Sequence, residues 1–169
     1  MNLIKTEAII LSAKYFLEKD KLLTIFSPIL GKCKVLARGS KMAGRLEATN
    51  HVQLILYKGK SFLGINQCDL VAAFPNIRTD FNKISLIFYF FDIVQKATVF
   101  DQNNTPLFEL LLSMLAQVDL ASDLNAVRAL FQNRFLQIEG LLKSPLSDTE
   151  FRIRFQEYSG KLLAEPAFI

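Results

Sequence analysis

"LLTIFSPILGKCKVLARGSKMAG", residues 22–44, sets two short runs rich in β-branched and aromatic residues around a turn signal and ends in a cationic loop punctuated by glycine. The runs are short and bounded by turn signals, so both read as strands. In "CKVLAR", Cys33, Val35 and Ala37 share one face of the pleat while Lys34, Leu36 and Arg38 share the other. Lys32 joins the second set if the strand starts early. Three further runs of the same kind surround this pair: "KTEAIIL" before it, then "HVQLILY" and "SFLGINQCDL" after it. In "HVQLILY", Val52, Leu54 and Leu56 form the inward row. Five short strands, each with one apolar face and separated by "SPILGK", "RGSKMAG" and "KGK", are most economically closed into a small barrel that leaves few edges exposed.

After Pro75 the period changes. "TDFNKISLIFYFFDIVQKATVF" carries apolar residues on nearly every face between Ile84 and Val94, the signature of a central helix covered on several sides. "NTPLFELLLSMLAQV" places Thr105 as a cap with Pro106 at the first helical position. "SDLNAVRALFQNRFLQIEGLL" has Asp123 as cap and a stripe of Leu124, Val127, Phe131, Phe135 and Ile138. "SDTEFRIRFQEYSG" opens on a Ser147/Glu150 capping box and stops at Gly160. The expected architecture is α+β: a five-stranded barrel over residues 1–78 and an all-α helical bundle over residues 79–169.

At 169 residues, 51% apolar and with fifteen Phe, the chain can fill a core without covalent staples. The first twenty residues lack the apolar run of an export signal, and "ISLIFYFFDIV" is about half the ~20 residues of a bilayer span. A cytoplasmic protein without a membrane segment is expected. Cys33 and Cys68 stand apart from each other and from His51, so they read as buried apolar residues rather than a disulfide or a metal site. His51 is the sole histidine, and no nucleophile and acid can be tied to it. No paired-carboxylate motif or metal-ligand cluster is present either, so catalysis is not expected.

Charge is unevenly distributed. Residues 1–78 hold twelve Lys and Arg against five acids, whereas residues 79–169 hold eight against eleven. The first half therefore suits an anionic partner. "GSKMAGRL" matches a P-loop at both glycines, but Arg45 stands where the phosphate-reaching Lys belongs and Leu46 where a hydroxyl must ligate Mg²⁺. Nucleotide hydrolysis is not expected on that ground. The alternative is a nucleic-acid backbone: Gly39 and Gly44 permit close approach, and Arg38, Lys41 and Arg45 neutralise successive phosphates. Lys32 and Lys34 lie on the strand entering the loop, and Lys58 and Lys60 flank the next hairpin tip. Lys14, Lys19 and Lys21 cluster between the first two strands, and a small barrel with basic loops and one basic face is the usual chassis for single-stranded nucleic acid. Tyr15, Phe16, Tyr57 and Phe62 lie near these charges and read first as core or rim residues. An RNA-binding barrel and a protein-interaction module remain alternatives.

"TEAIIL" leading to "EKDKLLTIFSPILGKCKVLARGSKMAGRLEA", then "LILYKGKSFLGINQCDLVAAFPNIRTD", resembles the N-terminal domain of the RecO family of bacterial recombination mediators. The D-[KR]-L, G-K, A-[KR]-G and A-F-P elements follow in the family's order over residues 6–80. The resemblance implies an oligonucleotide/oligosaccharide-binding (OB) barrel followed by a helical domain. It further implies binding of single- and double-stranded DNA, annealing of complementary strands, and help in loading recombinase onto DNA coated with single-strand-binding protein. The implied partners are a RecR-type protein and the acidic tail of single-strand-binding protein, and the implied location is the nucleoid. Family basic positions fall on Arg38, Lys41 and Arg45. Many members carry a four-cysteine zinc module in the second domain; this chain has no cysteine after Cys68, so no zinc is expected.

Overall fold

The computed structural model describes residues 2–39, 41–141 and 144–166. Ser40 of the cationic loop and Leu142, at the end of the stretch expected to form the third long helix, fall outside the described residues. Five strands, β1 (Leu3–Leu17), β2 (Asp20–Ser27), β3 (Gly31–Ala37), β4 (His51–Lys58) and β5 (Leu63–Ala72), close into a barrel in the order β1-β2-β3-β5-β4. Every pairing is antiparallel except a short parallel contact of Val35 and Leu36 with Leu63 and Gly64, which shuts the barrel. β1 pairs with β4 through Ile9 and with β2 from Ile9 onward; a register shift after Ile10 bends one strand to serve both neighbours. This is the expected OB-type barrel, and a helical region follows it.

The inward rows expected from alternation fill the barrel. Cys33, Val35, Ala37, Val52, Leu54 and Leu56 are all buried in one apolar cluster with Ile10, Leu23 and Ile25. The chain divides into two compact units: residues up to Ala73 together with Phe100–Phe108, and Phe74–Val99 together with the residues from Glu109 on. The segment 100–108, placed by sequence periodicity among the helices, thus groups with the barrel. Gly31 explains how it is received. Its φ is +68°, and a Cβ there would lie 1.9 Å from the Gln102 carbonyl oxygen, so only glycine admits the crossing backbone. Asp101 N–H donates to the Lys32 carbonyl at 2.9 Å, and Thr105 Oγ1 donates to the Pro28 carbonyl at 3.0 Å.

Helices follow as α1 (Pro75–Thr79), α2 (Phe81–Ala97), α3 (Thr105–Leu120), α4 (Leu124–Ile138) and α5 (Asp148–Ser159). In the helical unit, Phe90 of α2 stacks on Phe131 of α4 with ring centres 4.0 Å apart, and Phe135 meets Phe151 and Phe155 of α5. The aromatic stripe read on α4 is thus its packing face. Asp123, the Ser147/Glu150 box and Gly160 act as caps where expected. One cap moves: Leu107 N–H donates to Asn104 Oδ1 at 3.1 Å, so Asn104 caps α3 and Thr105 already lies inside it. Thr105 is instead committed to Pro28. Among the described residues no helix is long and apolar enough to cross a membrane.

Candidate nucleic-acid interface

The β4–β5 hairpin is the centre of the cationic surface. Gly59 N–H donates to the Phe62 carbonyl at 3.1 Å, closing a tight tip that carries Lys60, while Lys58 ends β4. Behind the tip Tyr57 faces Gly64 across the ladder, and a Cβ on Gly64 would lie 2.1 Å from the Tyr57 ring. The missing side chain is what makes room for that ring.

Two adjoining grooves share residues 59–62 of this tip. The larger, about 460 Å³, is lined by Lys34, Lys58, Lys60, Phe62, Phe100 and Asp101, among others. The smaller, about 180 Å³, is lined by Phe16, Leu36, Arg38, Tyr57, Lys60 and Phe62, among others. Phe16 and Phe62 meet edge to face with ring centres 6.1 Å apart. Lys34, Arg38, Lys58 and Lys60 are all exposed, and none of the ion pairs among the described residues involves them. Strand alternation accounts for two of them: Lys34 stands on the outer face of β3, and Arg38, the residue just after the strand, keeps the same parity, because Cys33, Val35 and Ala37 take the core. The result is a run of four solvated cations, interleaved with aromatic rings, from the outer face of β3 round the β4–β5 tip.

Three of the seven basic residues singled out from sequence do not join it. Lys32 is buried, only 6% exposed, with Nζ 4.5 Å from the Phe100 ring centre. Segment 100–102, distant in sequence, covers it. Arg45 spends one guanidinium N–H on the Cys68 carbonyl at 2.9 Å, and Lys41 is exposed on the same loop, but neither is among the residues lining these two grooves. The loop itself differs from the phosphate cradle its glycines suggest. Ala43–Arg45 form a single 3-10 turn, Leu46 inserts into the barrel core at 1% exposure with Met42 packed beside it, and Asn50 Nδ2 ties back to the Arg45 carbonyl. Burying Leu46 closes the end of the barrel, and that apolar contact fixes the turn in place.

Other polar residues have structural work. His51 Nε2 lies 2.8 Å from Glu7 Oε2, with its ring against Phe108. Lys21 sits 3.8 Å from Glu47 and over the Tyr15 ring. Burial pushes the Cys33 thiol up to about 12, with nearby Asp101 adding to the effect. It pushes Cys68 up to about 11, against the pull of Arg45. Both stay protonated and inert at neutral pH. Among the described residues no group of three or more His, Cys, Asp or Glu could hold a metal. Phe100 and Asp101 are the groove residues that the sequence reading missed. An aromatic side chain placed in the polar connection "TVFDQNN" was the available signal.

Comparison with known proteins agrees with this architecture. The family model for the N-terminal region of recombination protein O matches residues 1–74, and that for its C-terminal region matches residues 78–142. The chain is 33% identical over 147 residues to the DNA repair protein RecO of Geobacter metallireducens, covering 83% of this chain and 59% of that protein. It is 30% identical over 148 residues to the one from Acetivibrio thermocellus, covering 83% and 58%. It is 28% identical over 164 residues to the one from Alkaliphilus metalliredigens, covering 94% and 58%. The chain therefore spans less than two thirds of the length of these relatives. With a closed barrel under the first family model and helices under the second, the chain belongs to the RecO family.

Proposed function

We propose that this chain is a DNA-binding protein of recombinational repair, and that it holds DNA strands along the groove formed by β3 and the β4–β5 hairpin. The observation that carries the reading is the convergence of Lys34, Arg38, Lys58 and Lys60, from different stretches of sequence, on two adjoining grooves. These cations face solvent, so their charge is available to phosphates. Contacts from solvated cations to phosphates carry no sequence information, which favours binding without sequence preference. The OB barrel uses this same region, the β2–β3 face and the β4–β5 loop, for oligonucleotides.

Such a surface suits strand annealing. Two polyanions repel each other, and a basic track that neutralises either one lowers that repulsion and leaves base pairing to decide the partner. No catalytic group is needed. Family membership extends the proposal to double-stranded DNA and to helping recombinase load onto DNA covered by single-strand-binding protein. It also extends it to a RecR-type partner and the acidic tail of single-strand-binding protein, acting in the cytoplasm at the nucleoid. Strand annealing and fluorescence anisotropy with labelled oligonucleotides test the central part. Replacing Lys34, Arg38, Lys58 and Lys60 together by Ala should abolish annealing and weaken binding to all sequences alike; unchanged binding would refute the placement of DNA in this groove.

A further inference from the structure

We propose that the larger groove is a pocket for one unstacked nucleotide, with Phe100 as the platform for its base. This rests on the DNA-binding reading above and adds a residue that lies outside the barrel strands. Phe100 is 48% exposed and lines the groove together with the hairpin-tip residues 58–62. Two cations lie over its ring: Lys32 Nζ is 4.5 Å and Lys34 Nζ 5.7 Å from its centre. The backbone that carries it is fixed by the parallel bridge to Lys32, by the Asp101 N–H bond to the Lys32 carbonyl and by the crossing over Gly31. A rigid, half-exposed aromatic ring beside cations is the standard combination for sequence-tolerant recognition of single strands.

The walls differ in charge, and that sets the orientation of an occupant. Lys58 and Lys60 line the hairpin side, whereas Asp101 stands next to Phe100. On the Phe100 side Lys34 and the buried Lys32 offset Asp101, whereas the hairpin side has two lysines and no acid, so the stronger pull on a phosphate is at the hairpin and the ring is left for the base. The volume, about 460 Å³, falls within the range of small-molecule sites. A base stacked within a duplex cannot offer its face to this ring, so Phe100 favours single-stranded over double-stranded DNA.

The chain contains no tryptophan, which makes the test direct. Phe100→Trp introduces a sole indole at the platform; quenching of its emission by oligo(dT), with binding followed separately by anisotropy, reads stacking itself. Phe100→Leu keeps apolar cover over Lys32 but removes the aromatic face. It should weaken oligo(dT) binding about 5-fold or more while duplex binding changes less, and Phe100→Trp should retain wild-type affinity. Circular dichroism and thermal melting of both variants establish that they are folded. If oligo(dT) binds Phe100→Trp without quenching, or if Phe100→Leu leaves the single-strand to duplex affinity ratio unchanged, the platform is wrong while DNA binding in the groove stands. Failure of the unaltered chain to bind DNA removes both.

Discussion

Replacing Arg38 and Lys60 by Ala takes two of the four solvated cations out of the grooves, and the consequence is best seen in salt dependence. Each phosphate neutralised on a single strand contributes about −0.7 to the slope of log affinity against log salt. Four cations give a slope of about −2.8, so affinity for oligo(dT) should fall about 50-fold between 50 and 200 mM salt. With two cations left, the slope becomes about −1.4 and the fall about 7-fold. Both side chains are exposed and take part in none of the ion pairs described, so stability should hardly change. Anisotropy titrations of a fluorescent oligonucleotide across a salt series measure the slopes. A double variant with lower affinity and an unaltered slope would mean that the loss is not one of phosphate contacts, and the reasoning would fail.

Lys41→Ala with Arg45→Ala provides the contrast: because neither residue lines either of these two grooves, the pair should leave that slope nearly unchanged, whereas a phosphate-cradling loop would show the larger loss. Leu46→Ala opens a cavity at the end of the barrel and should cost about 2–4 kcal/mol, read as a lower urea midpoint with the DNA salt slope preserved. Gly31→Ala incurs about 1–2 kcal/mol from its left-handed backbone alone, and the clash with the Gln102 carbonyl should displace Phe100 and lower single-strand affinity as well as stability. The two thiols lie above their unfolded value of 9.0 in the folded chain. The stability they contribute is complete below pH 9 and is lost as pH rises through 9 toward 11–12. The urea midpoint should therefore drop between pH 8 and 10 by more than in a Cys33→Ala, Cys68→Ala variant; equal drops would count against the burial account.

Much of the barrel was legible because its alternation has a period of two and one face is dry: Val52, Leu54 and Leu56 could point only inward. The second half of β1 was not legible. Tyr15, Phe16 and Leu17 are exposed and follow a lysine, so nothing apolar marks them as strand, and only pairing with β2 reveals them. Lys58 and Lys60 were placed at a hairpin tip by the turn signal "KGK", and Lys34 and Arg38 on an outer face by the same alternation. Lys32 satisfied that rule too, yet its exposure depends on Phe100, a residue 68 positions later that no local pattern connects to it. The shape of the Arg45 loop was illegible for a related reason. The glycines resemble a phosphate cradle locally, while the deciding fact is the destination of Leu46, a tertiary contact. Thr105 and Asn104 are both competent caps side by side, and sequence preference cannot rank them when the threonine hydroxyl is drawn to Pro28.

The central claim is that DNA lies along the tip of the β4–β5 hairpin and the outer face of β3. Photo-crosslinking of an oligonucleotide carrying a photoreactive base, followed by peptide mapping, tests it most directly. The account expects adducts within residues 57–64 and at Phe16 or Phe100; adducts confined to residues 41–46 or to the helices after Pro75 would contradict it.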